Sequence, residues 1–131
     1  MLRSLLLIPL LLPLLGWSSP QVVALSGSEL EHYDGIVVDI RTEQEWQETG
    51  VVAGAHAITF HSAEQFLNDI APLLETGKPV ALICRSGNRS NRAAQAIHRH
   101  LEQPVIDVAG GMLRLLDQGY QAQPPRCIGL C

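Results

Sequence analysis

The chain has 131 residues, 47% of them hydrophobic and 17% charged, with a formal net charge of −4. An acidic chain of this size is a poor nucleic-acid binder, a role that wants a broad basic face. It has material for one compact domain and not two, and it contains no repeats, low-complexity segments or internal linker.

Met1 to Ser19 carries a single charge, Arg3, ahead of an apolar run from Leu5 to Leu15 that only Pro9 and Pro13 break. A basic start, a short apolar centre and a small-residue exit describe a secretory signal peptide. The run falls well short of the about 20 residues a membrane span requires. Cleavage after Ser18 (small residues Gly16 and Ser18) or after Ala24 (Val22 and Ala24) fits equally, though the second would remove the first strand. No cysteine follows Leu14-Leu15-Gly16, which argues against a lipid anchor. The expected layout is a signal peptide over 1–19, a domain over 20–121 and an irregular, cysteine-containing tail over 122–131. The mature chain is expected to be exported, in the periplasm, with no membrane span; removal of Arg3 makes it more acidic.

Val22 to Leu25 reads as a first short strand, followed by a helical turn at Ser28–Glu31 capped by Ser26 or Ser28. Ile36–Ile40 is a strand too uniformly apolar to have a solvent face. Thr42-Glu43-Gln44-Glu45 is a capping box, so a helix runs from there to about Thr49 and stops at Gly50. Gly54–Thr59 gives a turn and a short strand. Ser62-Ala63-Glu64-Gln65 opens a second capped helix, with Phe66, Leu67, Ile70, Leu73 and Leu74 at helical spacing and Pro72 expected to kink or restart it. Pro79–Ile83 is another doubly buried strand, and Ser90–Leu101 a helix. Pro104–Val108 is the last strand, followed after Gly110-Gly111 by a helix from Met112 to about Gln118. This alternation predicts an α/β fold, a small parallel sheet with helices on both faces.

Cys84 stands at the carboxyl end of the Pro79–Ile83 strand, and the loop Arg85-Ser86-Gly87-Asn88-Arg89-Ser90 feeds the next helix. In open α/β sheets this crevice is where ligands bind. Free backbone N–H groups and a helix amino terminus favour a thiolate there, and Gly87-Asn88 tolerates the backbone that lets amides converge. A lone cysteine is ordinarily a small buried hydrophobe, but a structural turn has no need of Arg85 and Arg89. From Thr76 to Leu101 there is no acidic residue, while Lys78, Arg85, Arg89, Arg92 and Arg99 all occur. A positive patch on an acidic body suits a small anionic ligand.

Cys84-Arg85-Ser86-Gly87-Asn88-Arg89-Ser90 resembles the active-site loop of rhodanese-like sulfurtransferases. Val38-Asp39-Ile40-Arg41-Thr42 with Glu45-Trp46, and Asp107-Val108-Ala109-Gly110-Gly111-Met112, resemble two further motifs of that family, in family order across Val22 to Gln121. Where the family commonly has Gly-His-Ile, this chain has Gly50-Val51-Val52. The resemblance implies sulfur transfer through a Cys84 persulfide. The donor would be a small anion such as thiosulfate, and the acceptor a thiol or cyanide. Arg85, Ser86, Gly87, Asn88 and Arg89 would bind substrate, with Asp39, Arg41 and Ser90 in support. No metal or organic cofactor is implied.

Asp39 and Arg41 read from the sequence as an ion pair or cap holding loops near the same sheet edge, Trp46 as core, and Gly110-Gly111 as a close backbone approach beside the Cys84 loop. The histidines are scattered, so neither metal binding nor a general base for Cys84 has support. Cys127 and Cys131 lie close enough for a disulfide in an oxidising compartment; alternatively they resolve a modified Cys84. Two rivals to catalysis of sulfur transfer are a non-catalytic sulfur carrier or binding module, and a cysteine phosphatase. The phosphatase signature is Cys-x₅-Arg, one residue longer than Cys84 to Arg89.

Overall fold

The computed structural model describes residues 19–126. All but the last residue of the expected signal peptide (1–19), and the Cys127–Cys131 pair, fall outside that range. Five parallel strands form one sheet in the order β1-β5-β4-β2-β3. They are β1 (Gln21–Val23), β2 (Ile36–Asp39), β3 (His56–Ala57), β4 (Val80–Ile83) and β5 (Val105–Val108). The helices are α1 (Gly27–Glu31), α2 (Glu43–Thr49), α3 (Ala63–Leu74), α4 (Asn88–Ile97) and α5 (Gly111–Asp117), with a 3₁₀ turn at His98–His100.

Every residue of β2 and β4 is buried, as their unbroken apolar character requires of strands covered on both sides. Side-chain alternation divides the core in two. Val38, Val80, Leu82, Cys84 and Val105 pack with Phe66 and Ile70 of α3 and Ala93, Ala94 and Ile97 of α4. Val37, Ala81, Ile83 and Val108 pack on the other face with Leu30 of α1 and Met112 and Leu115 of α5. Cys84 therefore lies just past the central strand, on the α4 face.

The Thr42–Glu45 capping box forms in both directions, and α2 ends at Gly50 with φ +75°. At α3, Ser62 accepts from the Gln65 amide. This helix runs through Pro72 rather than restarting. Pro72 stands in the last turn, so its missing N–H forfeits one bond close to where the ladder ends. α4 begins at Asn88, two residues ahead of the expected Ser90, because Gly87 (φ +98°) turns the chain straight into the helix. Trp46 is half-buried instead of core; its indole N–H donates to Asp39 Oδ1 at 3.0 Å. The tail is more ordered than expected at one point, where Val51 and Gln123 exchange backbone hydrogen bonds of 2.7 and 2.8 Å. Among the described residues no helix is long and apolar enough to cross a membrane.

Candidate active site

Two backbone donors converge on the Cys84 sulfur. The amide of Gly87 lies 3.1 Å from Sγ and that of Ser90 3.4 Å. The first exists because Gly87 adopts a left-handed conformation, and a side chain there would press to 3.3 Å from the Gly110 nitrogen. The second is one of the amino-terminal amides of α4, which have no carbonyl one turn earlier to bond. Such donors stabilise negative charge on sulfur. Cys84 itself has no exposed surface.

The loop is clamped from below by α5. Met112 and Leu113 donate their amides to the carbonyls of Cys84 and Arg85, at 2.8 and 2.9 Å. Gly111 makes this possible: at φ +57°, a Cβ there would lie 2.6 Å from the Arg85 oxygen. With Cys84 and Arg85 carbonyls turned towards α5, amides of the loop face the sulfur. Gly110-Gly111 thus provides the close approach expected of it.

The two arginines of the loop have different situations. Arg85 is exposed and makes no ion pair or side-chain hydrogen bond among the described residues. It borders a small cleft of about 40 Å³ with Arg41, Glu48, Met112 and Leu113. Arg89, expected as a second free anchor for an anion, instead forms a two-pronged pair with Glu45, at 2.6 and 2.8 Å. Hydrogen bonding from Arg89 brings the Glu45 carboxyl down from 4.5 to about 2, and Glu45 in turn raises Arg89 above its ordinary value. Arg89 braces α4 to α2, whereas Arg85 carries a charge with no ion-pair partner among the described residues. Ser86 and Asn88 are exposed on the loop rim.

Asp39 and Arg41 form the supporting pair that the sequence suggests. Both are buried, and Arg41 Nη2 lies 2.7 Å from Asp39 Oδ2. Arg41 also donates to the Thr49 hydroxyl and the Gly50 carbonyl, each at 2.7 Å, tying the strand end to the far end of α2.

Ser90 does more than flank the site: its hydroxyl lies 3.3 Å from Sγ and 2.5 Å from Asp107 Oδ1. Asp107, on β5, is buried and receives a second bond from the Asn91 amide at 3.1 Å. Neither Asp107 nor Asn91 was singled out from the sequence as a site residue. The available signal was an acid inside an otherwise apolar strand. Among the described residues no His, Cys, Asp and Glu cluster is placed to hold a metal ion.

A central parallel strand that delivers a cysteine into converging amides ahead of a helix defines a cysteine-loop α/β domain. Residues 22–122 match the family model described as Rhodanese-like domain, and the chain belongs to that family. A search of curated proteins finds no match. Among solved structures, a Rhodopseudomonas palustris protein of unknown function, described as a possible tyrosine phosphatase, aligns with TM-score 0.67 at 22% identity, covering 78% of this chain and 85% of that one. A rhodanese-related protein from Thermoplasma volcanium aligns with TM-score 0.56 at 27% identity, over 75% and 94% of the two chains. A rhodanese-like domain protein from Staphylococcus aureus gives TM-score 0.57 at 19% identity, over 76% and 97%.

Proposed function

We propose that this chain is a sulfurtransferase that moves a sulfane sulfur from a small anionic donor, of the thiosulfate kind, to a thiophilic acceptor. The observation that carries the reading is the convergence of the Gly87 and Ser90 amides on Cys84 Sγ in a rhodanese-like fold. The Cys84 thiolate attacks the donor's outer sulfur; a new S–S bond forms, the donor's S–S bond breaks, and sulfite leaves with the electron pair. The acceptor, cyanide or a thiol, then attacks the outer sulfur of the persulfide and regenerates the thiolate. Loop amides stabilise the anionic persulfide, and the free Arg85 draws in the donor. Because Cys84 is fully covered, the donor reaches it only when groups around the thiol move.

The amino-terminal segment supports export to the periplasm, and cleavage after Ser18 would keep β1, which pairs with β5 in the sheet. The test is intact mass of the mature protein after thiosulfate, then after cyanide. One added sulfur that cyanide discharges, absent in Cys84→Ser, is the expected result. Loading without catalytic turnover would make the protein a carrier. No loading, with hydrolysis of a phosphate ester, would make it a phosphatase.

A further inference from the structure

The site described so far supplies charge stabilisation for Cys84 but no group to receive its proton. Ser90 and Asp107 form a hydrogen-bonded chain leading from the sulfur. From Sγ to the Ser90 hydroxyl is 3.3 Å, and from that hydroxyl to Asp107 Oδ1 is 2.5 Å. A serine hydroxyl has one proton to give. The Gly87 carbonyl, at 3.2 Å, competes for it poorly against a carboxylate at 2.5 Å. With that proton directed at Asp107, the oxygen turns a lone pair to Sγ and can accept its S–H.

The placement of Asp107 is unusual for a structural acid. It is 2% exposed, and among the described residues it makes no ion pair. Its neighbours in register are Val22 of β1 and Leu82 of β4, both apolar. Its other bond is the neutral Asn91 amide. A buried carboxylate without a cation is expensive to keep charged.

We infer that Asp107 is a positioning residue that holds the Cys84 proton, acting through Ser90. The S–H bond breaks as its proton bonds to Ser90 Oγ, while the Ser90 proton passes to Asp107 Oδ1. The charge moves from carboxylate to sulfur and the pair's total is unchanged. In the resulting state Ser90 donates to the thiolate, adding a third hydrogen bond to those from Gly87 and Ser90 amides. Asp107 becomes neutral, and the negative charge resides on the sulfur that reacts. The other charged groups around the thiol are Arg89, paired with Glu45 of α2, the free Arg85 of the loop, and the Asp39–Arg41 pair after β2. None of them has a hydrogen bond to Sγ or to Ser90 Oγ.

The inference rests on Cys84 as the reacting thiol and not on sulfur as the group transferred, so its test uses alkylation. Full-length mature protein is treated with iodoacetamide at a series of pH values from about 5 to 8, and modification of Cys84 is followed by mass. While the pair holds a single proton, an internal acceptor keeps a fixed fraction of it in the thiolate form. The wild-type rate is therefore expected to flatten below neutral pH. In Asp107→Asn the flat region should be lost, and the rate should keep falling as the pH is lowered. Ser90→Ala, with Asp107 in place, should fall the same way, and Ser90→Thr should restore the flat region. A purely electrostatic Asp107 predicts the opposite, faster alkylation of Asp107→Asn at neutral pH, and that result overturns the inference. So does a wild-type rate that keeps falling in the same way, or a flat region that survives Ser90→Ala. A flat wild-type profile in a protein that takes no sulfur from thiosulfate would sink the sulfurtransferase reading and leave this one standing.

Discussion

Replacing Glu45 by Gln separates the bracing of the loop from its chemistry. Glutamine at this position can still cap α2, so the substitution removes mainly the charge opposite Arg89. Hydrogen bonding by Arg89, helped by the Thr42 cap, holds the Glu45 carboxyl at about 2 against an ordinary 4.5. Taken alone, that difference corresponds to roughly 3 kcal/mol in favour of the folded, ionised form. The Arg89 side chain is 39% exposed and that of Glu45 20%, so water screens the pair and about 1–2 kcal/mol remains. A carboxylate whose folded value is depressed contributes fully above its unfolded value and loses that contribution as pH falls through the folded one. The gap between wild type and Glu45→Gln should therefore be full at pH 7 and close between about pH 4.5 and 2. Urea unfolding at several pH values measures it. Equal midpoints at pH 7, or a gap unchanged in acid, would refute the assignment of Arg89 as a brace.

Gly111→Ala should lose about 2–4 kcal/mol in the same urea assay, since it combines φ +57° with a Cβ placed 2.6 Å from the Arg85 carbonyl oxygen; a loss below about 0.5 kcal/mol would mean that α5 does not clamp the loop. Arg85→Ala should raise the thiosulfate KM about tenfold and flatten its salt dependence while changing kcat less, as steady-state kinetics at two ionic strengths will show. Complete burial of Cys84 predicts that a bulky aromatic disulfide reacts at least about tenfold more slowly than iodoacetamide, each rate taken relative to a free thiol. Equal relative rates would show that the groups around the thiol do not need to move.

What could be read from the sequence was whatever is decided within a few residues. The Thr42 cap, the stop at Gly50 and the doubly buried strands follow from local spacing, and all are present. So is the placement of Cys84 between a strand and a helix amino terminus. Pro72 signals a break in the sequence, yet it falls in the last turn of α3, where a proline costs the helix little. Arg89 was read as a free cation because Glu45, its partner, is 44 residues away in the chain. A capping-box glutamate looks occupied by its own helix, yet a carboxylate has oxygen enough to accept from Thr42 and Arg89 together.

Asp107 shows most clearly where local reading stops. Its parity on β5 matches that of Val105, whose side chain faces α4, and that of Val80, Leu82 and Cys84 on the next strand. Given the register Leu82↔Asp107, the carboxyl must lie under the start of α4, within reach of Ser90. No step of that deduction is available before the sheet order is known, because β4 and β5 become neighbours through the crossover of α4. A cysteine loop announces its nucleophile in consecutive residues, since amides that converge on one atom must come from one turn of chain. The group that receives a proton works through side chains, and side chains meet by register. The proposed nucleophile is therefore legible in the loop, while the proton acceptor we infer for it is legible only in the fold.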